Sequence, residues 1–163
     1  MNLQEAVALV EKLELHFEEY ASGKHGRQKK GILQLLSHWI AYDVHHVERE
    51  HEDFLQGTTA LIQKLAEGLE SLPEEAQADA KALALRATQL LLRPKPKQPR
   101  NDRDWYLAAA EYSAIPLLTW LSQDELAHFR ARLLEHTPRR MMFPNQVKLL
   151  EAMEKLLDSA QAK

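Results

Sequence analysis

No cysteine occurs among the 163 residues, which excludes a disulfide scaffold, a thiol nucleophile and a thiolate metal site. Glycine is scarce, at 5 copies, and no stretch alternates β-branched with polar residues, so neither a sheet nor a phosphate-cradling glycine loop is indicated. No apolar run approaches the ~18 residues a membrane span needs. Strong charge of one sign is missing too. The 21 Lys and Arg stand against 24 Asp and Glu, a net charge of −3 that gives no bulk attraction to nucleic acid or to an anionic membrane. Acids within the first turns of MNLQEAVALVEKLELHFEE do not suit a secretory signal, so a cytoplasmic chain is expected.

What is present is an ordinary globular mixture, 45 % hydrophobic and 28 % charged. At this length folding hides roughly 70 % of the unfolded surface, enough for a core without staples. Helical periodicity appears almost everywhere. Asn2 with Glu5 forms a capping box ahead of a face made by Leu3, Ala6, Val10, Leu13, Phe17 and Tyr20, and Gly23 is a natural stop. A second helix carries Leu33, Leu36, Ile40, Val44, Val47, His51 and Phe54 and is expected to end near Gly57. A third begins at Thr58 with Leu61, Leu65 and Leu69. Ser71 and Glu74 read as another capping box, opening an Ala-rich fourth helix whose small residues let a neighbour approach closely.

The segment RPKPKQPRNDRD, residues 93–104, breaks the composition, because three closely spaced prolines favour an extended connector. It separates a helical bundle over 1–92 from a C-terminal segment over 105–163. That segment holds a helix from Trp105 kinked at Pro116, a second opened by Ser122 and Glu125, and a third after Pro144. The expectation is an all-α protein: about four N-terminal helices with three shorter ones docked on them as one compact domain, seven in all.

Histidine, at 8 copies, raises the question of a metal. Glu48 with His51 and Glu125 with His128 are both Glu-x-x-His pairs, a spacing that resembles the ferritin-like di-iron class because positions three apart share a helix face. Yet 17 glutamates and 8 histidines in 163 positions supply roughly one such pair by chance. Roughly 15 Å of helix would also separate Glu111 from the turn at Ser122, leaving it on the order of 10 Å from Glu125 along the axis. A di-metal centre is therefore the second alternative, and no cofactor is implied by the preferred reading.

Positive charge concentrates in three loops: Lys24, Arg27, Lys29 and Lys30; then Lys95, Lys97 and Arg100; then Arg139 and Arg140. Near helix C-termini such residues complement the dipole. Should the loops converge, they would form a polyanion face, with Trp105, Tyr106 and Phe143 as stacking platforms. Gly23 to Gly26 has the GXXG spacing of a KH clamp, but the strands of that fold are missing. There is no nucleophile elbow, zinc-protease motif or dinucleotide fingerprint.

Arg139, Arg140, Met142 and Phe143 in the loop RRMMFP, with Trp39 and Tyr42 as a second patch, have the composition of a protein interface. The function expected is a non-enzymatic helical interaction module, an adaptor or accessory subunit, binding a protein partner or a second copy of itself. A nucleic-acid-associated subunit using the basic loops is the alternative, and no membrane association is expected.

Overall fold

The computed structural model describes residues 1–23 and 42–161, the side chains of 42–48 excepted. The fold is all-α. Six α-helices and three 3₁₀ segments, with no strand, occur among the described residues. Helix α1 spans Leu3–Ala21 and α2 spans Tyr42–Glu70. A short 3₁₀ turn at Glu74–Ala76 leads into α3, Gln77–Leu91. Helix α4 is Asp102–Ala109, followed without a break by a 3₁₀ segment over Ala110–Trp120. Helices α5, Gln123–His136, and α6, Pro144–Gln161, flank a 3₁₀ turn at Arg139–Met141.

The two clearest start signals form as expected. The Asn2 side chain accepts from the Glu5 amide at 2.9 Å while the Glu5 carboxylate accepts from the Asn2 amide at 2.8 Å. Ser122 and Glu125 repeat the arrangement at the head of α5. Gly23 adopts φ 73°, the left-handed region that a Cβ disfavours, and ends the first helix. Along α1, Ala6, Val10, Leu13, Phe17 and Tyr20 recur every three or four residues, and all five are buried. They meet Phe54, Ile62, Leu65 and Leu69 of α2 and Ala80, Ala84 and Ala87 of α3 in one core. Each large side chain so buried stabilises the fold by about 1.5–3 kcal/mol.

Three expectations are corrected. Gly57 does not end a helix. The stripe continues unbroken through Phe54, Thr58, Ile62, Leu65 and Leu69, so the expected third helix is a continuation of the second within the 29 residues of α2, while Leu33, Leu36 and Ile40 of the expected second helix lie outside the described residues. Gly57 serves a close approach instead, since a Cβ there would lie 2.9 Å from the His16 ring of α1. That ring stacks on Phe54, with centroids 5.1 Å apart, and its Nε2–H donates to the Phe54 carbonyl at 3.1 Å. Ser71 and Glu74 form no capping box. The Ser71 hydroxyl turns back to the Gly68 carbonyl at 2.7 Å, and Pro73 stands at the N-cap without a side-chain bond.

The third correction positions the functional site. No kinked α-helix runs from Trp105 through Pro116; α4 ends at Ala109 and the chain tightens into an 11-residue 3₁₀ run. Such runs are seldom longer than about four residues. This one is packed on several sides, against α2, α3 and α6. In 3₁₀ geometry residues three apart eclipse one another. Glu111, Ala114 and Leu117 therefore share an inward strip, and a carboxylate is carried into the interior.

Candidate functional site

The non-helical connector after α3 crosses the surface between α4 and the end of α5. Lys95 fastens its start. The ammonium donates to the Leu91 carbonyl at 2.8 Å and the Arg93 carbonyl at 3.0 Å, which satisfies the end of α3, and it lies 3.6 Å from the Glu111 carboxylate. Burial pushes Lys95 down to about 8 from its ordinary 10.5, and burial raises the Glu111 carboxyl against the pull of Lys95. His136, at the end of α5, donates from Nε2 to the Pro96 carbonyl at 3.0 Å and so staples the connector from the other side.

Between the connector, α4 and the loop before α6 lies a cavity of about 370 Å³. Its walls include Pro96, Pro99 and Pro138, the α4 face of Trp105, Ala108 and Ala109, and Tyr112, Met141 and Phe143. Trp105 and Phe143 meet edge to face with ring centroids 5.6 Å apart. Five large hydrophobic side chains are exposed among the described residues. Three of them, Trp105 at 47 %, Met141 at 64 % and Phe143 at 56 %, gather here. A second recess of about 210 Å³ adjoins the first and shares Lys95, Lys97 and His136 with it; Arg93, Arg132, Glu111 and Glu135 complete its charged lining.

Of the expected interface residues, Phe143 lines this site and Arg140 is exposed in the adjoining loop. Arg139 pairs with Glu154 at 2.5 Å, and Glu154 also accepts from Arg130 at 3.1 Å. Met142 turns in against the core, and its neighbour Met141 takes the exposed place. Trp39 lies outside the described residues, and of Tyr42 only the backbone, the first residue of α2, is described. Lys24, Arg27, Lys29 and Lys30 also lie outside. In the second basic loop the roles divide: Lys95 is buried, Lys97 lines both recesses, and Arg100 is held by Asp104 through its amide at 2.9 Å and its Nε at 3.2 Å. The second and third basic loops do converge, through the His136–Pro96 bond.

The residues of the di-metal alternative have local partners. His51 is buried and its Nδ1 meets the Tyr20 hydroxyl at 2.5 Å, whereas Glu125 accepts from the Ser122 amide at 2.7 Å. His128 is exposed and packs edge-on against Phe129. The side chain of Glu48 lies outside the described set. Among the described residues no group of three or more His, Asp or Glu could hold a metal ion. No helix among them is long and apolar enough to cross a membrane.

A second polar cluster is a structural knot. Arg103 donates to the Tyr20 carbonyl at 2.7 Å and to Glu50 at 2.8 Å, with its guanidinium 4.9 Å from the centre of the Tyr20 ring. His51 lies under Tyr106, with ring centroids 4.6 Å apart, and its buried Nε2 has no hydrogen-bond partner among the described residues. Burial lowers the His51 pKa and raises that of Tyr20. These groups join α1, α2 and α4.

Sequence reasoning identified Phe143, Trp105 and Lys97 but missed Tyr112 and Arg132. Both lie on helical stretches whose periodicity shows burial and nothing of which loops approach. Glu111 on an apolar stripe was the available signal, since a carboxylate carried inward calls for a nearby cation. No protein-family model matches the chain, and comparison with curated proteins and with solved structures gives no significant match.

Proposed function

We propose that this chain is a helical interaction module, an adaptor or accessory subunit, that binds a protein partner by seating a segment of it against Trp105, Met141 and Phe143. The observation that carries the reading is the gathering of three exposed large apolar side chains on the rim of one cavity of about 370 Å³. Aromatic and Met side chains around a concave site are the usual anchors of protein recognition, and the volume lies toward the lower end of the ~300–1,000 Å³ range of ligand pockets. Binding is favoured over catalysis because Lys95, the group with the most distinctive chemistry, directs its ammonium to two carbonyls and Glu111.

The test is affinity purification from the native host with wild-type protein and a Trp105→Ala/Phe143→Ala variant of unchanged urea stability. The expected result is a stoichiometric protein that accompanies the wild type and is lost from the variant. A partner retained by the variant, or none with either, overturns the proposal. The alternative of a nucleic-acid-associated subunit rests on Lys97, which lines the same cavity as the exposed Trp105, and on the exposed Arg140 next in sequence to Met141. It is disfavoured because Arg100 and Arg139 direct their charges to Asp104 and Glu154. Co-purifying nucleic acid that dissociates steeply with salt would establish it instead.

A further inference from the structure

The apolar cavity does not stand alone. The smaller recess continues it beneath the connector, and Lys97 and His136 line both. The character changes along the way. The first part is mainly aromatic, proline and methionine, and the carboxylate in its lining, Asp104, is paired with Arg100; the second sets four cations, Arg93, Lys95, Lys97 and Arg132, against two acids, Glu111 and Glu135. Neither Lys97 nor Arg132 has an ion-pair partner among the described residues. Cations gathered beside an apolar cavity, outnumbering the described acids that line the recess with them, leave a complementary charge to be supplied from outside.

We infer that the partner segment is an acidic peptide: an apolar or aromatic anchor fills the cavity at Trp105 and Phe143 while neighbouring carboxylates lie over Lys97 and Arg132. The inference rests on the function proposed above and adds the chemistry of the segment. A neutral apolar peptide would leave the cations uncompensated. A basic one would meet like charge. A fully polar acidic tract would leave the aromatic rim exposed.

A random dodecapeptide library displayed on phage, panned on the whole chain, tests both levels separately. The expected outcome is enrichment of sequences with one or two large apolar residues beside at least two acids. Their synthetic forms should bind about tenfold more weakly to Lys97→Glu or Arg132→Glu protein, weaken with salt, and fail to bind Trp105→Ala/Phe143→Ala. Enriched peptides without acids, or acidic peptides indifferent to both charge reversals, overturn the inference and leave the binding module standing. No enrichment over an unrelated helical protein, or selective binding of a single-stranded oligonucleotide instead, overturns both. Thermal unfolding of each variant separates lost binding from lost fold.

Discussion

Lys95 joins the end of α3, the connector and the 3₁₀ segment, so replacing it examines the physical account of the site most directly. In Lys95→Met the Leu91 and Arg93 carbonyls lose donors at 2.8 and 3.0 Å, and Glu111 is left buried without its ion-pair partner. Removing one partner of a buried pair costs about 3–5 kcal/mol. In a chain of this size that lowers the melting temperature by roughly 6–20 °C, at about 2–4 °C per kcal/mol. Glu111→Gln should cost less. The ion pair spans 3.6 Å, beyond hydrogen-bond length, while the two carbonyl bonds survive. Lys95→Met/Glu111→Leu should recover part of the loss, because two desolvated charges disappear together, but not the part due to the orphaned carbonyls.

The pH dependence gives an independent check. Folded Lys95 releases its proton near 8, whereas the unfolded chain holds it to about 10.5. Between those values the unfolded state binds more protons, so this residue makes stability rise with pH. Tyr20 acts oppositely but only above its ordinary value of 10.0, because burial raises its pKa and the unfolded chain ionises first. Urea midpoints from about pH 7.5 to about pH 9.5 therefore isolate the lysine, and Lys95→Met should lack that rise. A Lys95→Met protein within about 1 kcal/mol of wild type, or a Glu111→Gln protein less stable than it, would refute this reasoning.

Three further results are expected. Tyr20→Phe leaves both nitrogens of the buried His51 ring without partners among the described residues and should cost about 1–3 kcal/mol in urea unfolding; a change of a few tenths contradicts the knot described above. Because burial lowers the His51 pKa, the unfolded chain takes up that proton first, and stability present above 6.5 is lost as the pH falls below it. His51→Gln should flatten that acid limb, and an unchanged limb assigns it to other groups. Gly57→Ala should destabilise the wild type by displacing the His16 ring from Phe54, yet stabilise a His16→Ala background by about 0.5–1 kcal/mol through helix propensity; the same sign in both backgrounds rejects the close approach.

Most of the helices are legible in the sequence, though not where α2 passes Gly57 or where α4 gives way to 3₁₀ form, and so is most of the core. Apolar side chains at three- and four-residue spacing have only one way to turn inward together, so the spacing alone places Ala6 through Tyr20, His51 and Phe54 in the interior. Capping residues act across three positions, and the Asn2 and Ser122 signals were sufficient. Ser71 misled because its hydroxyl had a competing carbonyl within the preceding turn. Pro116 was visible as an interruption, but periodicity could not show that packing on several sides would hold eleven residues in 3₁₀ form.

The candidate site depended on distances along the chain that no local pattern records. Pro96 and His136 are forty positions apart and bonded. Trp105 and Phe143 meet because α4 leads into the 3₁₀ segment and α6, which follows the loop of Phe143, packs on that same segment. Local side-chain order dictates which way each helix rolls, since that choice is settled within a turn or two. Which loops then lie side by side, and whether a charge among them is neutralised or left for a partner, follows from how the rolled helices pack, where small differences in long-range contact decide the outcome.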